Sequence, residues 1–423
     1  MTAVAPLAGA PPATHFRWTI CALLFFATSI NYIDRQVLSI LAPELQRSIG
    51  WNEIDYGYIV TAFQGAYALG LLFVGRLMDR MGTRRGFPLI MTIWSIAAML
   101  HALAGSALGF GIARGLLGLG EAGNFPAAIK TVSEWFPKQE RALATGIFNA
   151  GSNVGAIVAP LVVPWIALTW GWKWAFLVTG ALGFVWLALW MALYRTPEQS
   201  RHVSHAELEW IQRDPPASAI TPSWKALLSR RNTWAIAFAR FLTDPVWWFF
   251  LFWLPKMLSS NFGMTLSGMG PPLVAIYLAA DVGSIGGGWT SSFLIRLGWP
   301  VSSARRIAML ICALCVVPVF AAAWTSHMWI AVGLIGLAAA AHQGWSANLY
   351  TLVSDLFPSQ AVGAVVGIAG LFGAIGGMLL STAAGHLLQR ANDFLPLLIV
   401  AASAYLIALA GIQLLARPNQ SGG

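Results

Sequence analysis

The chain has 423 residues, of which 57% are hydrophobic and 10% charged, whereas a soluble domain carries about 25% charge. Such a balance cannot hide its apolar surface from water and excludes an ordinary soluble protein. The formal net charge of +9 raises nucleic acid as a partner, so the placement of that charge along the chain has to decide.

Residues 1–16 are rich in Pro and Ala and lack a charged leader region. The apolar segment that follows is long and interrupted by Asp34-Arg35, so a cleaved signal peptide is not expected and the first helix stays in the protein. Apolar stretches of roughly 20 residues, enough to cross ~30 Å of hydrocarbon as helix, lie near 18–41, 57–78, 87–107, 108–130, 143–168 and 173–194. A polar segment, 195–232, follows with Pro197, Pro215, Pro216 and Pro222; further apolar stretches lie near 233–255, 271–293, 305–323, 327–353, 362–388 and 394–416. The pattern predicts an all-α membrane protein of twelve transmembrane helices. Two six-helix bundles (18–194 and 233–416) are expected, joined by the 195–232 linker and flanked by tails 1–17 and 417–423. In the linker, Ser204-His205-Ala206-Glu207 has the form of a capping box and predicts a short amphipathic helix through Leu208, Trp210 and Ile211.

The two bundles read as copies. Ser133-Glu134-Trp135-Phe136-Pro137-Lys138-Gln139 returns as Ser354-Asp355-Leu356-Phe357-Pro358-Ser359-Gln360, an offset of 221 positions. The same offset carries Arg84-Arg85 onto Arg305-Arg306, Gly146-Ile147 onto Gly367-Ile368 and Gly155 onto Gly376. Duplicated halves in a membrane protein point to a transporter.

Positive charge follows the even-numbered helices: Arg76, Arg80, Arg84 and Arg85; Lys138 and Arg141; Arg195, Arg201, Arg213, Lys225, Arg230 and Arg231; Arg296, Arg305 and Arg306. The first odd-numbered loop holds Glu44, Glu53 and Asp55 against Arg47. Both termini are therefore expected in the cytoplasm, and the basic balance is topology rather than a nucleic-acid footprint. Cys21, Cys312 and Cys315 fall inside apolar helices without His or further Cys nearby, a poor metal site; no metal or other cofactor is expected.

Charges inside a bilayer usually face a cavity, pair or act. A rise of 1.5 Å per residue puts Glu121 about 14 Å, Tyr67, Asp244 and His342 about 17 Å, and Asp281 and Asn153 about 18 Å above the cytoplasmic helix ends. Asp34 and Arg114 share a level near 24 Å on the same scale, which predicts an ion pair. Arg114 and Glu121, seven residues apart, share a helix face with Gly118 between them. Glu121 is a titratable acid at mid-membrane, and His342 lies one offset beyond it. Arg240 and Asp244, at i and i+4, pair directly beside the kinking Pro245; Asp281, among glycines, is the alternative partner for Arg240. Neutral polar groups complete the expected lining: Gln64 and Tyr67 on the second helix, Asn149, Ser152 and Asn153 on the fifth, and the run His342-Gln343-Gly344-Trp345-Ser346-Ala347-Asn348 on the tenth. Such donors and acceptors suit a polyhydroxylated ligand, with Trp345 placed to stack on a sugar face.

Gly75-Arg76-Leu77-Met78-Asp79-Arg80-Met81-Gly82-Thr83-Arg84-Arg85 resembles the loop signature of the major facilitator superfamily at every defining position. The resemblance implies that Gly75, Asp79, Arg80 and Gly82 belong to a cytoplasmic gate. Asn31-Tyr32-Ile33-Asp34-Arg35, Arg114 through Glu121-Ala122 with Pro126, and Ser133-Glu134-Trp135-Phe136-Pro137 resemble the organic anion:cation symporters of that superfamily. Arg240 through Trp248, Phe252-Trp253-Leu254-Pro255 and the His342–Asn348 run look like its hexuronate transporter branch. The resemblance implies proton-driven import of a sugar acid by alternating access, in a bacterial inner membrane, with Asp34 and Glu121 as proton-coupling carboxylates, Arg35 engaging the anion, Arg114 as ion-pair partner and Tyr67 binding ligand. Those second-half strings favour a uronate such as glucuronate or galacturonate over an aldonate. Aldonate-type relatives carry glutamine where Ser152 stands and asparagine where Gly370 stands, which argues against carrying over an aldonate site; another carboxylate, namely an aldonate such as galactonate, or tartrate, or an aromatic acid, taken by symport or exchange, is the second reading. The proton is the coupling ion and the bilayer the other partner; one two-bundle chain suffices as a monomer. A membrane enzyme or transport-dead sensor is the reading from another class; no Ser-His-Asp, metal or phosphate-loop pattern and no appended soluble domain supports it.

Overall fold

The computed structural model describes residues 14–214, 224–357 and 359–416, without the side chains of residues 75, 76, 79, 138, 142, 224, 359 and 360. The tails 1–13 and 417–423 and linker positions 215–223 lie outside the described residues. The first half comprises α1 (Phe16–Ile49), α2 (Glu53–Leu100), α3 (Ala107–Glu121), α4 (Asn124–Trp135), α5 (Lys138–Trp170) and α6 (Trp172–Leu193). The linker contributes α7 (His205–Gln212) and α8 (Trp224–Leu228), and the second half α9 (Arg231–Phe262), α10 (Gly270–Arg296), α11 (Val301–Val316), α12 (Met328–Leu356), α13 (Ser359–Ala391) and α14 (Leu395–Leu415).

Local chemistry sets the boundaries. Gly50, at φ 84°, ends α1, and Asn52 and Asp55 close a reciprocal capping box that starts α2. Within α2 the backbone leaves helical geometry at Gly82, at φ 69° and ψ 164°, so this element is two crossings, Glu53–Val74 and Arg80–Leu103. Among the described residues, eleven helical segments are long and apolar enough to span a bilayer. The remaining expected crossing, near 108–130, is broken between α3 and α4 at Ala122-Gly123. Exposed apolar side chains such as Phe73, Leu108, Val282 and Ile285 face outward, and exposed Trp165, Trp170, Trp174, Trp289, Trp324 and Trp329 cluster near helix ends, as interfacial belts do.

Glycines let the helices of each half approach backbone to backbone. A Cβ at Gly155 on α5 would lie 2.4 Å from the Ser29 carbonyl oxygen of α1, and one at Gly376 on α13 would lie 2.2 Å from that of Phe241 on α9. The two positions related by the 221 offset thus do the same work in each half.

The halves meet along α1 against α9, α2 against α13, and α5 against α10. The last two seams exchange under the offset. Close contacts across them gather at the end remote from the arginine-rich loops: Gly57 lies against Ser381 and Gly385 and Gly270 against the Pro160 carbonyl, the Thr61 and Thr382 hydroxyls are 3.0 Å apart, and the Tyr56 hydroxyl donates to the Phe252 carbonyl. This far end is sealed.

At the basic end, α7 docks on the first half. Ser204 accepts from the Glu207 amide at 3.2 Å, but the Glu207 carboxylate does not return to its own helix start as a full capping box would. It takes the first free amides of α1 instead, from Phe16 at 3.2 Å and Arg17 at 3.1 Å, and the Thr14 hydroxyl at 2.6 Å. Arg17 pairs with Glu207 at 3.0 Å and with Glu140 of α5 at 2.8 Å, so linker, α1 and α5 are tied together. Burial alone would push the Glu207 carboxyl up; the hydrogen bonds from Thr14, Arg17 and Phe16 outweigh it and hold the group below the ordinary glutamate value of 4.5. A lowered value means that the docking is fully stabilised above pH 4.5 and is lost as pH falls through the depressed value. Limited proteolysis of the linker should therefore accelerate as the medium is acidified below the ordinary glutamate value of 4.5, and Glu207→Gln should show fast cleavage already at pH 7.

Candidate functional site

Residues 34 and 35 sit about 100° apart around α1, and the two side chains go to different places. Arg35 turns into the centre of the molecule, where its guanidinium pairs with Glu121 through two contacts, 2.9 Å and 3.0 Å, and donates to Asn31 Oδ1 at 3.2 Å. Ring faces surround the cation: Tyr32 at 4.8 Å, Tyr67 at 5.2 Å, Phe63 at 5.3 Å and Trp248 at 5.4 Å. Trp248 belongs to the second half, so the cluster spans the seam. Glu121 is the last residue of α3, directly before the break at Ala122-Gly123.

The expected pair of Asp34 with Arg114 does not form. Arg114 donates to the Arg35 carbonyl oxygen at 2.7 Å and lies 5.0 Å over Phe63 and 5.5 Å over Phe252. Asp34, 2% exposed, faces Thr179 of α6 within Coulombic reach of Arg114, but no ion pair of it is found among the described residues. A shared level in the membrane fixed the heights of these groups, not their directions. Arg114 and Glu121 do lie on one side of α3, yet the salt bridge of Glu121 is to Arg35.

In the second half, Arg240 and Asp244 form the expected intrahelical pair, Nη2 to Oδ2 at 2.7 Å, with Tyr350 5.0 Å from the guanidinium. Asp281 is not part of it: Arg240 is already satisfied one turn away, and no ion pair of Asp281 occurs among the described residues. His342 stacks on Trp247 with centroids 5.2 Å apart and shares a 2.6 Å hydrogen bond between Nδ1 and the Tyr405 hydroxyl.

A cavity of about 500 Å³ lies between the halves. Arg35, Tyr67, Asn149, Ser152 and Asn153 line it from the first half, and Arg240, Asp244, His342 and Gln343 from the second. Leu71, Ile129, Tyr350, Gly363 and Gly367 carry its wall toward the basic end, the end that the seam contacts leave open. Three expected lining residues are elsewhere. Gln64 is fully buried in the α2–α13 seam beside Gly377. Trp345 is buried edge-on to Tyr405 at 5.4 Å, and Asn348 donates to the carbonyls of Gly287 at 2.8 Å and Gly344 at 2.9 Å, fastening α12 to α10. The polar run on α12 covers nearly two turns, so its residues point to several sides.

Ser346, part of the expected run on α12, lines the cavity, and Tyr32, Trp247, Trp248, Ser284 and Tyr350 line it without having been expected there. The stripe His342, Ser346, Tyr350 at i, i+4 and i+8 was a usable signal for Tyr350, and the adjacency of Trp247-Trp248 to the charged turn of α9 for the tryptophans. In the Gly75–Arg85 loop, Gly75 is placed by its helical backbone alone and the Asp79 side chain lies outside the described set; Arg80 is exposed, Gly82 makes the turn, and neither lines the cavity. Among the described residues no group of three His, Cys, Asp or Glu side chains converges as metal ligands would.

The sequence profile of the Major Facilitator Superfamily matches residues 24–381. The chain is 31% identical over 392 residues to the hexuronate transporter of Escherichia coli K12, covering 91% of this chain and 90% of that one. It is 34% identical over 279 residues to the galacturonate transporter of Dickeya chrysanthemi, covering 64% and 81%, and 29% identical over 431 residues to the D-galactonate transporter of Escherichia coli O6:H1, covering 99% of both. The fold matches the crystal structure of a bacterial homolog to the human lysosomal transporter Spinster, in an inward-facing and occupied conformation, with a TM-score of 0.75, 19% identity and coverage of 96% and 98%. Two six-helix halves around a central cavity, together with these matches, make the chain a transporter, not an enzyme, and a member of the Major Facilitator Superfamily.

Proposed function

We propose that the protein is a proton-coupled symporter that imports a hexuronate, glucuronate or galacturonate, by alternating access across a bacterial inner membrane, working as a monomer without a cofactor. The observation that carries this reading is the Arg35–Glu121 pair at 2.9 Å beside a cavity lined by hydrogen-bonding side chains. Arg35 is the group for the substrate carboxylate, but Glu121 holds it. Protonation of Glu121 removes the competing charge and frees the guanidinium; loss of that proton restores the pair and expels the anion. Asp34, the second expected proton carrier, shares the buried region of Arg114. Asn149, Ser152, Asn153 and Gln343 supply partners for sugar hydroxyls, and the ring faces of Trp247 and Trp248 replace Trp345 as the apolar platform.

The positive-inside bias places the basic end, the linker and both termini in the cytoplasm, so that the cavity as seen opens inward. The named hexuronate and galacturonate relatives support the uronate reading. Ser152 and Gly370, both on the cavity wall, support it against an aldonate, although the D-galactonate relative keeps aldonates as the second reading.

Uptake of labelled glucuronate or galacturonate into proteoliposomes should rise with an inward proton gradient and fall with unlabelled uronates; gradient-independent uptake, or competition by galactonate alone, would overturn coupling or substrate respectively. Arg35→Ala should lower uptake at least tenfold, by about the 1.5–3 kcal/mol of a hydrogen bond to a charged group. Arg35→Lys should not restore it, because an ammonium lacks the fork that holds a carboxylate at two points. Trp248→Leu should raise the apparent KM several-fold, the loss of roughly 1 kcal/mol of ring–cation contact. Trp345→Phe should leave KM unchanged and register only in the melting temperature.

A further inference from the structure

The sealed far end carries a second charged cluster that the central site does not use. Lys256, near the end of α9 in the second half, pairs with Glu53 at the start of α2 in the first, Nζ to Oε1 at 2.8 Å. Among the described residues, it is the ion pair that joins the two halves. Gln46 of α1 contacts the same ammonium through its carbonyl oxygen and donates to Glu53 Oε1 at 3.0 Å. The Glu53 amide donates to Gln389 of α13 at 3.1 Å. One knot thus binds α1 and α2 to α9 and α13, over the seam closed by Thr61 and Thr382.

The knot lies in the floor of an open depression of about 390 Å³ lined also by Arg47, Trp51, Ser260 and Asn392. Two cations therefore share this mouth, and one of them is the latch. Any anion that reaches the centre from this end passes between α1–α2 and α9–α13, and its carboxylate is chemically the same group as the one Lys256 already holds. We propose that Lys256 is an anion-capture residue at this mouth: a sugar-acid carboxylate takes its ammonium from Glu53, and loss of that bridge unlatches the two halves. The ligand class rests on the transport reading above; the latch does not.

The test uses the full chain in proteoliposomes with Thr61→Cys and Thr382→Cys, whose parent hydroxyls are 3.0 Å apart. Disulfide formation is followed by mass spectrometry of the joined peptides, with each single-cysteine chain as the blank. Without ligand, Glu53→Gln or Lys256→Gln should slow cross-linking about fivefold, and the exchanged pair Glu53→Lys with Lys256→Glu should recover most of the parent rate. Glucuronate, but not glucose, should slow cross-linking in the parent chain, and should still do so after Arg35→Ala or Arg35→Gln, which empties the central site. A Lys256→Gln chain should not respond. Parent-like cross-linking in both latch variants overturns the latch. A glucuronate effect that disappears with Arg35 overturns capture at Lys256. Undiminished uptake by Arg35→Ala would instead overturn the transport reading, and the ligand-free arm would still judge the latch.

Discussion

A guanidinium at mid-membrane, balanced by a single carboxylate, is the constraint around which this protein is built. Arg35 and Glu121 are 4% and 1% exposed, and a buried charge left without its partner costs several kcal/mol. The other groups around Arg35 are ring faces and an amide, which stabilise a cation without competing as anions. Any change in the charge of Glu121 must therefore be answered by a new anion at Arg35 or by movement of the helices around it. Since Trp248 of the second half is one wall of the cage, that answer is felt across the seam.

The seam itself has two unlike ends. At the far end, glycine contacts and paired threonines hold α2 on α13, while Lys256 of α9 is tied to Glu53 of α2 and to Gln46 of α1. Toward the basic end the same helices diverge around the cavity, whose wall there is made of Leu71, Ile129, Tyr350 and Gly363. The offset exchanges α2–α13 with α5–α10 and carries α1 onto α9, so one pseudo-two-fold relation covers all three seams. The charged knot at the far end brings Gln46 of α1 to Lys256 of α9, and the cage in the middle brings Arg35 of α1 to Trp248 of α9, so both clusters touch the same pair of helices although their ion pairs run to α2 and α3.

The large-scale order was legible from the sequence because the bilayer imposes it: apolar length gives the crossings, arginine placement gives the two faces, and the repeated heptad gives the halves. The break between α3 and α4 was not read, although Glu121, Gly123, Asn124 and Pro126 do interrupt the apolar run there, because the total apolar length still suffices for one crossing. At the site, periodicity served where the spacing was unambiguous, as for Asn149, Ser152 and Asn153 on α5 and for Arg240 and Asp244 on α9. It failed where only height was available. Asp34 and Arg114 share a level but differ in azimuth, and Trp345 and Asn348 sit in a polar run that wraps most of the way around α12. The bridge that matters most, Arg35 to Glu121, lies between helices 86 positions apart in sequence, where no local spacing rule applies.

Duplication explains the scaffold better than it explains the chemistry. Gly155 and Gly376 keep the same close approach in each half, but titratable positions related by the same offset have parted. Glu121 answers Arg35, whereas His342 stacks on Trp247 and bonds Tyr405. Glu134 receives the hydroxyls of Thr83 at 2.6 Å and Tyr194 at 2.8 Å, whereas its counterpart Asp355 pairs with Arg305 at 3.2 Å. Backbone packing tolerates few alternatives once two helices touch through a glycine, so it stays symmetric. A buried charge is constrained only to find some partner, so each half could settle its charges differently. The first half places an acid against the cavity's central cation, and the second holds Arg240 and Asp244 as a pair already neutral within one helix. A symmetric backbone frame thus carries an asymmetric arrangement of buried charge.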